Sequence, residues 1–452
     1  MSLFNAQAYL SSFINYEINL QDVNPSLFKL DRAQRLLALL GNPHGKLKFV
    51  HVAGTKGKGS TCVLIASILR EAGYRVGLYT SPHLYNYRER IRFFSRPSLQ
   101  RERKNVLQGM ISEGALSKTL EKMKPSIETV RADASLGRLS FFELFTVLAI
   151  FYFYRQRADF VVLETGLGGR LDATNVVDSC VCAITPVSLD HTKQLGSTIA
   201  AIAAEKAAII KNKNQKVVVA QQHPEARRVI EKRCRQFGIE GVWAGKDIRY
   251  ELLSRNIDQQ TFNITTKNKK HLRLRTRLLG DHQILNASVA VGIAECLQGL
   301  GFAMADQAIK QGIAKTVWPG RFEMIQKNPV VVLDGAHNTA SMTVLTKTVR
   351  SIFPRRKIIV VLGLSQDKDK AGIAVELNKI ARTIILTKAD HPRSCDLAQE
   401  RLDRFFPGKE MIVTDDIVQA QDRALKEASK EDVVLVTGSL FVIGEMRVLF
   451  GN

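Results

Sequence analysis

An apolar run, KLKFVHVA at Lys46–Ala53, delivers the chain into a glycine-rich turn, GTKGKGS at Gly54–Ser60. Thr61–Ala72 then repeats its apolar residues at helical spacing and stops at Gly73. A buried strand joined to a helix through glycines leaves few folds open, because the strand needs neighbours on both edges and the helix needs a sheet to cover. Further strands are predicted at Tyr74–Tyr79, Phe160–Glu164 and Cys180–Thr185, with a buried helix at Phe141–Tyr154. This alternation predicts an α/β fold whose mostly parallel sheet is covered on both faces, in a P-loop ATPase-like N-terminal domain.

Between Ser95 and Arg138 the pattern weakens into polar and basic residues, which predicts a mobile connection with one helix around Val106–Met123. A second α/β series follows, with short apolar strands at Val330–Leu333, Lys357–Leu362, Thr383–Thr387, Met411–Thr414 and Val433–Val436. It predicts a smaller, Rossmann-like C-terminal domain. The string WPGR at Trp318–Arg321 breaks a helical pattern just before that series and marks a hinge. Two domains are therefore expected, 1–316 and 317–452, since 452 residues exceed what one core ordinarily supports.

The turn has the context of a phosphate-binding loop. Glycines let backbone N–H groups approach phosphate oxygens, the following helix offers unpaired N–H groups and the positive end of its dipole, and Lys58 adds a point charge. Gly54, Thr55, Gly57, Lys58, Gly59 and Ser60 are therefore assigned to a nucleotide. The loop is not the common P-loop, because Gly59 follows Lys58 where a magnesium-binding Ser or Thr would stand. Other donors are needed, and three occur at strand ends or in adjoining loops, where open α/β sheets bind ligands: Ser81 in TSPHL, Glu164 in LETGLGGR and His191 in SLDHT.

The formal net charge is +22, concentrated in Arg88–Arg96, Arg101–Lys104, Lys211–Lys216 and Lys267–Arg277. Such a field attracts anions, and ATP with a multiply carboxylated substrate accounts for part of it. No helix-turn-helix, zinc-finger or aromatic RNA-binding signature accompanies the charge, so nucleic acid is not an expected partner. Six cysteines are too sparse for a disulfide framework, and Cys180 and Cys182 lack the spacing of a metal pair. No leader-like segment opens the sequence, and the longest apolar runs are too short to span a bilayer. A cytoplasmic monomer that makes no membrane contact is expected.

The strings GTKGKGS, TSPHL, ERI (Glu89–Ile91), FFEL (Phe141–Leu144), LETGLGGRLDATN (Leu163–Asn175), DHT (Asp190–Thr192), EKAAIIK (Glu205–Lys211), GRFE (Gly320–Glu323) and LDGAHN (Leu333–Asn338) occur in this order. Together they resemble the folylpolyglutamate synthase and dihydrofolate synthase family of the Mur ligase superfamily. The resemblance implies that Ser81, Glu164 and His191 are ligands of magnesium, two ions being expected, and that Lys206 is carbamylated. CO2 would turn that lysine from a cation into an anionic oxygen donor. It further implies that Asn286, Arg321 and Asp334 hold ATP, that His337 and Ser439 meet the incoming glutamate, and that Phe142 and Asp172 receive a pterin ring.

The implied reaction activates an acid on the γ-phosphate of ATP and passes it, through an acyl phosphate, to the amine of L-glutamate. Lys58, Lys206 and His337 are the candidate catalytic residues. Dihydropteroate, folates or both remain open as acceptors. Also open are a Mur-type ligase joining another amino acid to another acid, and a nucleic-acid-stimulated P-loop ATPase. The chain departs from the family pattern at three places: Lys56, where bacterial members commonly carry Asn and other members Lys; Ala208, in place of a frequent Gly after the modified lysine; and FKLDR at Phe28–Arg32, in a region that helps to bind pterin.

Overall fold

The structure, a computed structural model, describes residues 5–17, 27–97, 108–397, 400 and 402–451. Among these residues the strands form three sheets. The first contains β1 (Phe49–Ala53), β2 (Val76–Tyr79), β3 (Ile91–Phe94), β4 (Phe160–Glu164), β5 (Ser179–Ile184), β6 (Lys216–Val219) and β7 (Val242–Trp243), in the order β3-β2-β4-β1-β5-β6-β7. Only β3 runs antiparallel, against β2. The second is a small antiparallel sheet of β8 (Arg249–Arg255), β9 (Gln260–Thr265) and β10 (Lys270–Thr276). The third contains β11 (Glu323–Lys327), β12 (Val330–Leu333), β13 (Ile358–Leu362), β14 (Ala381–Leu386), β15 (Glu410–Val413) and β16 (Val433–Thr437), in the order β11-β12-β16-β13-β14-β15. It too is parallel apart from one edge strand, β11.

β1 lies between β4 and β5 and is buried along its whole length, which is why its sequence is apolar without alternation. The helix that follows it, Lys58–Glu71, is apolar nearly all round because it is enclosed between the sheet and a second helix, Asp281–Gly299. A third helix, Asp306–Lys315, approaches so closely that a Cβ on Gly312 would lie 2.5 Å from the Ile68 Cα. The other sheet face is covered by Phe141–Arg155, capped by Ser140 and Glu143, together with Asp31–Leu39 and Glu113–Ala132.

The region expected to be a mobile connection needs correction. Arg101–Lys104 and the first two residues of the expected helix lie outside the described residues. The helix itself runs from Glu113 to Ala132, and it is packed rather than free, burying Leu116, Leu120, Met123, Ile127 and Val130. That spacing is helical, but intervening lysines, glutamates and Pro125 mask it. The sequence reading also passed over β8–β10. All residues of β8 are exposed or half-buried, so no apolar alternation betrays the strand. The six cysteines are free. Among the described residues no helix is long and apolar enough to cross a membrane.

Candidate active site

Two glycines of the loop are required by backbone conformation and space, and a third is closely packed. Gly54 has φ 147°, and a Cβ there would fall 1.8 Å from the Thr185 Oγ1. Gly57 has φ 85°, and its Cβ would fall 2.3 Å from the Asn286 Oδ1, which places the loop against the helix Asp281–Gly299. A Cβ on Gly59 would lie 3.3 Å from a Glu164 carboxylate oxygen and 3.1 Å from the Trp318 ring. A hydroxyl residue after the loop lysine would have to displace the Glu164 carboxylate and the Trp318 indole by a few tenths of an ångström.

Glu164 ends β4, and its Oε2 accepts the backbone N–H of Ser81 at 3.1 Å. Burial raises its pKa while the nearby Lys58 opposes the rise. Lys206, near the end of the helix Ile199–Ala207, is 4% exposed and donates from Nζ to the Gly54 carbonyl at 2.9 Å. Burial, reinforced by Lys58, lowers its pKa to about 7. His191 stands in the left-handed region at φ 48°, uncommon for a residue bearing Cβ, and its exposed side chain borders the same cavity as the loop. Beside it Asp190 accepts from Lys56 Nζ at 3.0 Å, which gives the unusual loop lysine an internal partner.

Among the described residues no three His, Cys, Asp or Glu side chains converge into a metal cluster. Magnesium needs no such cage, since it commonly takes one or two carboxylates and completes its octahedron with phosphate oxygens and water. The adjacency of Ser81 and Glu164 beside the phosphate loop is compatible with that chemistry.

From the C-terminal sheet, Asp334 follows β12 and accepts the N–H groups of Phe322 and Ala336, each at 2.9 Å. Burial raises its pKa against the pull of Arg321. His337 Nδ1 lies 2.8 Å from the Gly335 carbonyl, so it must carry the hydrogen, and Nε2 is left as an acceptor. Burial, then Lys56 and Lys368, push this imidazole down to about 3. Ser439 caps the helix Leu440–Leu449 by accepting from Phe441 N.

These parts border one cavity of about 900 Å³. Every residue assigned from the sequence lines it except Gly54 and Lys206, which are hydrogen-bonded to each other. At one end Phe142 faces Gly166, whose Cβ would be 2.5 Å from the phenyl Cζ. Asp172 lines the same end, with its carboxylate engaged by Leu167 N, Thr174 N and Thr174 Oγ1. The sequence reading missed the ion pairs that frame this end. Arg32 meets Glu143 at 2.7 Å and Arg90 meets Glu17 at 2.6 Å, joining FKLDR to FFEL and ERI to the N-terminal segment. It also missed Lys368, Arg393 and His282 on the cavity wall. Isolated in sequence, these three gave no local signal.

Two family models match the chain: the Mur ligase middle domain over residues 112–294 and the Mur ligase glutamate ligase domain over 320–440. A dihydrofolate synthase/folylpolyglutamate synthase of Bacillus subtilis (strain 168) is 35% identical over 92% of this chain and 94% of its own length. The chain belongs to the folylpolyglutamate synthase/dihydrofolate synthase family. An Escherichia coli (strain K12) member is 32% identical over 98% of this chain and 95% of that one. The fold of the folylpolyglutamate synthase of Mycobacterium tuberculosis, solved with ADP and AMPPCP, superposes with a TM-score of 0.85 at 27% identity, covering 100% of this chain and 98% of that one. Within this Mur ligase family the site is divided. Phe142, Glu164, Asp172, His191, Lys206 and Asn286 fall in the middle-domain match, and Arg321, Asp334, His337 and Ser439 in the glutamate-ligase match. The loop Gly54–Ser60 and Ser81 precede both.

Proposed function

We propose that the chain is an ATP-dependent ligase that joins L-glutamate to a folate-type acid, dihydropteroate or a folate. The single observation that carries this reading is the shared cavity. At about 900 Å³, it joins in one space the loop residues Thr55–Ser60, Phe142 and the C-terminal residues His337 and Ser439, the residues assigned to nucleotide, acceptor and glutamate. The segment Trp318–Arg321 is the proposed hinge between domains 1–316 and 317–452, so that nucleotide and glutamate meet where the two domains face each other.

In this reading the acceptor carboxylate oxygen attacks the γ-phosphorus and the bond to the β-phosphate oxygen breaks, releasing ADP. The amine of glutamate then attacks the acyl carbon, the bond to phosphate oxygen breaks, and the ammonium proton is lost as the amide forms. The protein's part is placement and charge neutralisation. Loop N–H groups, Lys58 and Arg321 hold the phosphates, Asn286 and Asp334 the nucleoside side, and His337 with Ser439 the glutamate. Phe142 and Asp172 receive the pterin. Magnesium, held by Ser81, Glu164, His191 and a carbamate on Lys206, would offset the charge that develops on the transferring phosphoryl group. The neutral amine that burial favours at Lys206 is the form that combines with CO2.

Incorporation of labelled glutamate, measured in parallel on dihydropteroate and on tetrahydrofolate, tests the reading. ATP-dependent product on either acceptor is expected, and product on neither would refute it. The same assay separates the reading from a nucleic-acid-stimulated ATPase, which would ignore glutamate.

A further inference from the structure

His51, in the middle of β1, is 0% exposed and has no place in the chemistry above. Its Nε2 lies 2.8 Å from Thr174 Oγ1, and Thr174 Oγ1 lies 2.5 Å from Asp172 Oδ1. Its Nδ1 is buried without a hydrogen-bond partner among the described residues. The proton positions in this chain can be deduced. Asp172 Oδ1 also receives Thr174 N at 3.0 Å, and Oδ2 receives Leu167 N at 2.8 Å. Burial raises the Asp172 pKa, while the Thr174 hydroxyl and the backbone N–H donors oppose the rise by favouring the ionised carboxylate, and it is the count of donors around both oxygens that decides the polarity. An ionised carboxylate only accepts, so the Thr174 hydroxyl donates to it and the single hydroxyl proton is spent. His51 must then donate from Nε2, which makes it the neutral tautomer with Nδ1 bare. The opposite polarity, with a protonated Asp172 donating to Thr174 and Thr174 donating to His51, would leave an Nδ1–H group buried with nothing to receive it.

We propose that His51 and Thr174 form a buried donor relay that holds Asp172 as an oriented, acceptor-only carboxylate at the wall of the acceptor end of the cavity. They are thus positioning residues for acceptor recognition. This rests on the proposed reading that Asp172 receives ring N–H groups of a pterin. The relay also sets the loop that shapes this end. Asp172 holds Leu167 N, the neighbouring Gly166 packs on the Phe142 ring, and Leu167, Arg170 and Leu171 line the cavity beside them. A relay that lost its polarity would loosen both the acid and the wall it anchors. Burial supports the same assignment, because it pushes the pKa of His51 down to about 3 and keeps the ring neutral.

The experiment compares Thr174→Val, which deletes the hydroxyl, with Thr174→Ser, which keeps it, in the full-length protein. The variants are matched by thermal melting, and KM and kcat are measured for the pterin acceptor and for ATP. A rise of tenfold or more in acceptor KM for Thr174→Val is expected, with kcat and the KM for ATP within twofold and with recovery in Thr174→Ser. In parallel, 15N spectra of histidine-labelled protein, with the His51 signals assigned through a His51→Gln variant, report the tautomer without any turnover. A neutral ring protonated at Nε2 supports the relay. A ring protonated at Nδ1, or equal acceptor KM in wild type and Thr174→Val, overturns it. If wild type glutamylates neither pterin acceptor, the acceptor reading fails and takes the recognition role with it. The tautomer result still states separately whether the relay has the deduced polarity.

Discussion

Lys206 donates from Nζ to the main-chain carbonyl of Gly54 at 2.9 Å, tying the end of the helix Ile199–Ala207 to the first residue of the phosphate loop. The amine is enclosed, stands near Lys58, and has its pKa drawn down to about 7. A second cation there would oppose a metal, whereas a carbamate would supply oxygen donors. Lys206→Ala should therefore lower kcat by about 100-fold, the scale of losing one well-placed electrostatic group. Short carboxylates added to the assay should restore part of the loss. Full activity in the variant would remove Lys206 from the mechanism.

Gly57→Ala tests the loop against a control within the same chain. Both Gly57 (φ 85°) and Gly41 (φ 80°) are left-handed, but a Cβ on Gly41 meets nothing within 4 Å while one on Gly57 meets Asn286. Each substitution should cost about 1–2 kcal/mol in backbone strain. Only Gly57→Ala should also weaken binding of a non-hydrolysable ATP analogue, by about tenfold or more, as read by calorimetric titration.

Arg393, in the C-terminal part of the chain, donates to the Glu17 carbonyl at 3.1 Å and to Asp367 at 2.9 Å, while the Glu17 carboxylate holds the buried Arg90. One short N-terminal segment is thus gripped from both sides of the cavity. Hydrogen bonds to charged groups are worth about 1.5–3 kcal/mol. Arg393→Ala should raise acceptor KM by about tenfold and leave nucleotide affinity unchanged. An unchanged acceptor KM would show that the segment does not help to enclose the acceptor.

Arg32 and Glu143 form a pair with side chains only 6% and 8% exposed, and Glu143 also accepts from Ser140 N and Oγ at the start of the helix Phe141–Arg155. Removing one partner of a buried pair leaves the other charged and unmatched, at a cost of about 3–5 kcal/mol. Glu143→Ala should show that loss in denaturant melts, and Glu143→Gln a smaller one.

Stability should fall in acid in a way that can be traced to His51. In the folded chain burial holds its pKa at about 3, whereas an exposed histidine titrates near about 6.5. Protonation therefore favours the unfolded state. The contribution is complete above pH ~6.5 and drains away as pH falls toward 3, by about 1.4 kcal/mol for each pH unit in that window. His51→Gln should reduce the slope of unfolding free energy against pH by about one proton between pH ~6 and ~4. An unaltered slope would mean that His51 is not the group taking up that proton.

Much of this molecule was legible before any coordinates. The strands Phe160–Glu164 and Val330–Leu333 fall where their apolar runs place them, because strands buried on both faces leave an uninterrupted apolar record. The strand, glycine-rich turn and helix from Phe49 to Glu71 were legible because an apolar run, glycines and helical spacing follow one another there. The helix Glu113–Ala132 and the exposed strand β8 were misread or missed, the first because polar residues and Pro125 hide its stripe, the second because it buries nothing.

By itself the sequence determined that alternating strands and helices would build parallel sheets and that a glycine-rich turn would join the first strand to its helix. Both follow from local sterics and from apolar periodicity. Tertiary structure alone decided what packs against that turn: Thr185, Asn286, Glu164 and Trp318, residues far away in the chain that the fold brings together. It also decided which charges would be paired. Arg32 finds Glu143, Lys56 finds Asp190 and Arg90 finds Glu17 across intervals that no local pattern spans, because burial makes an unpaired charge too costly to leave alone.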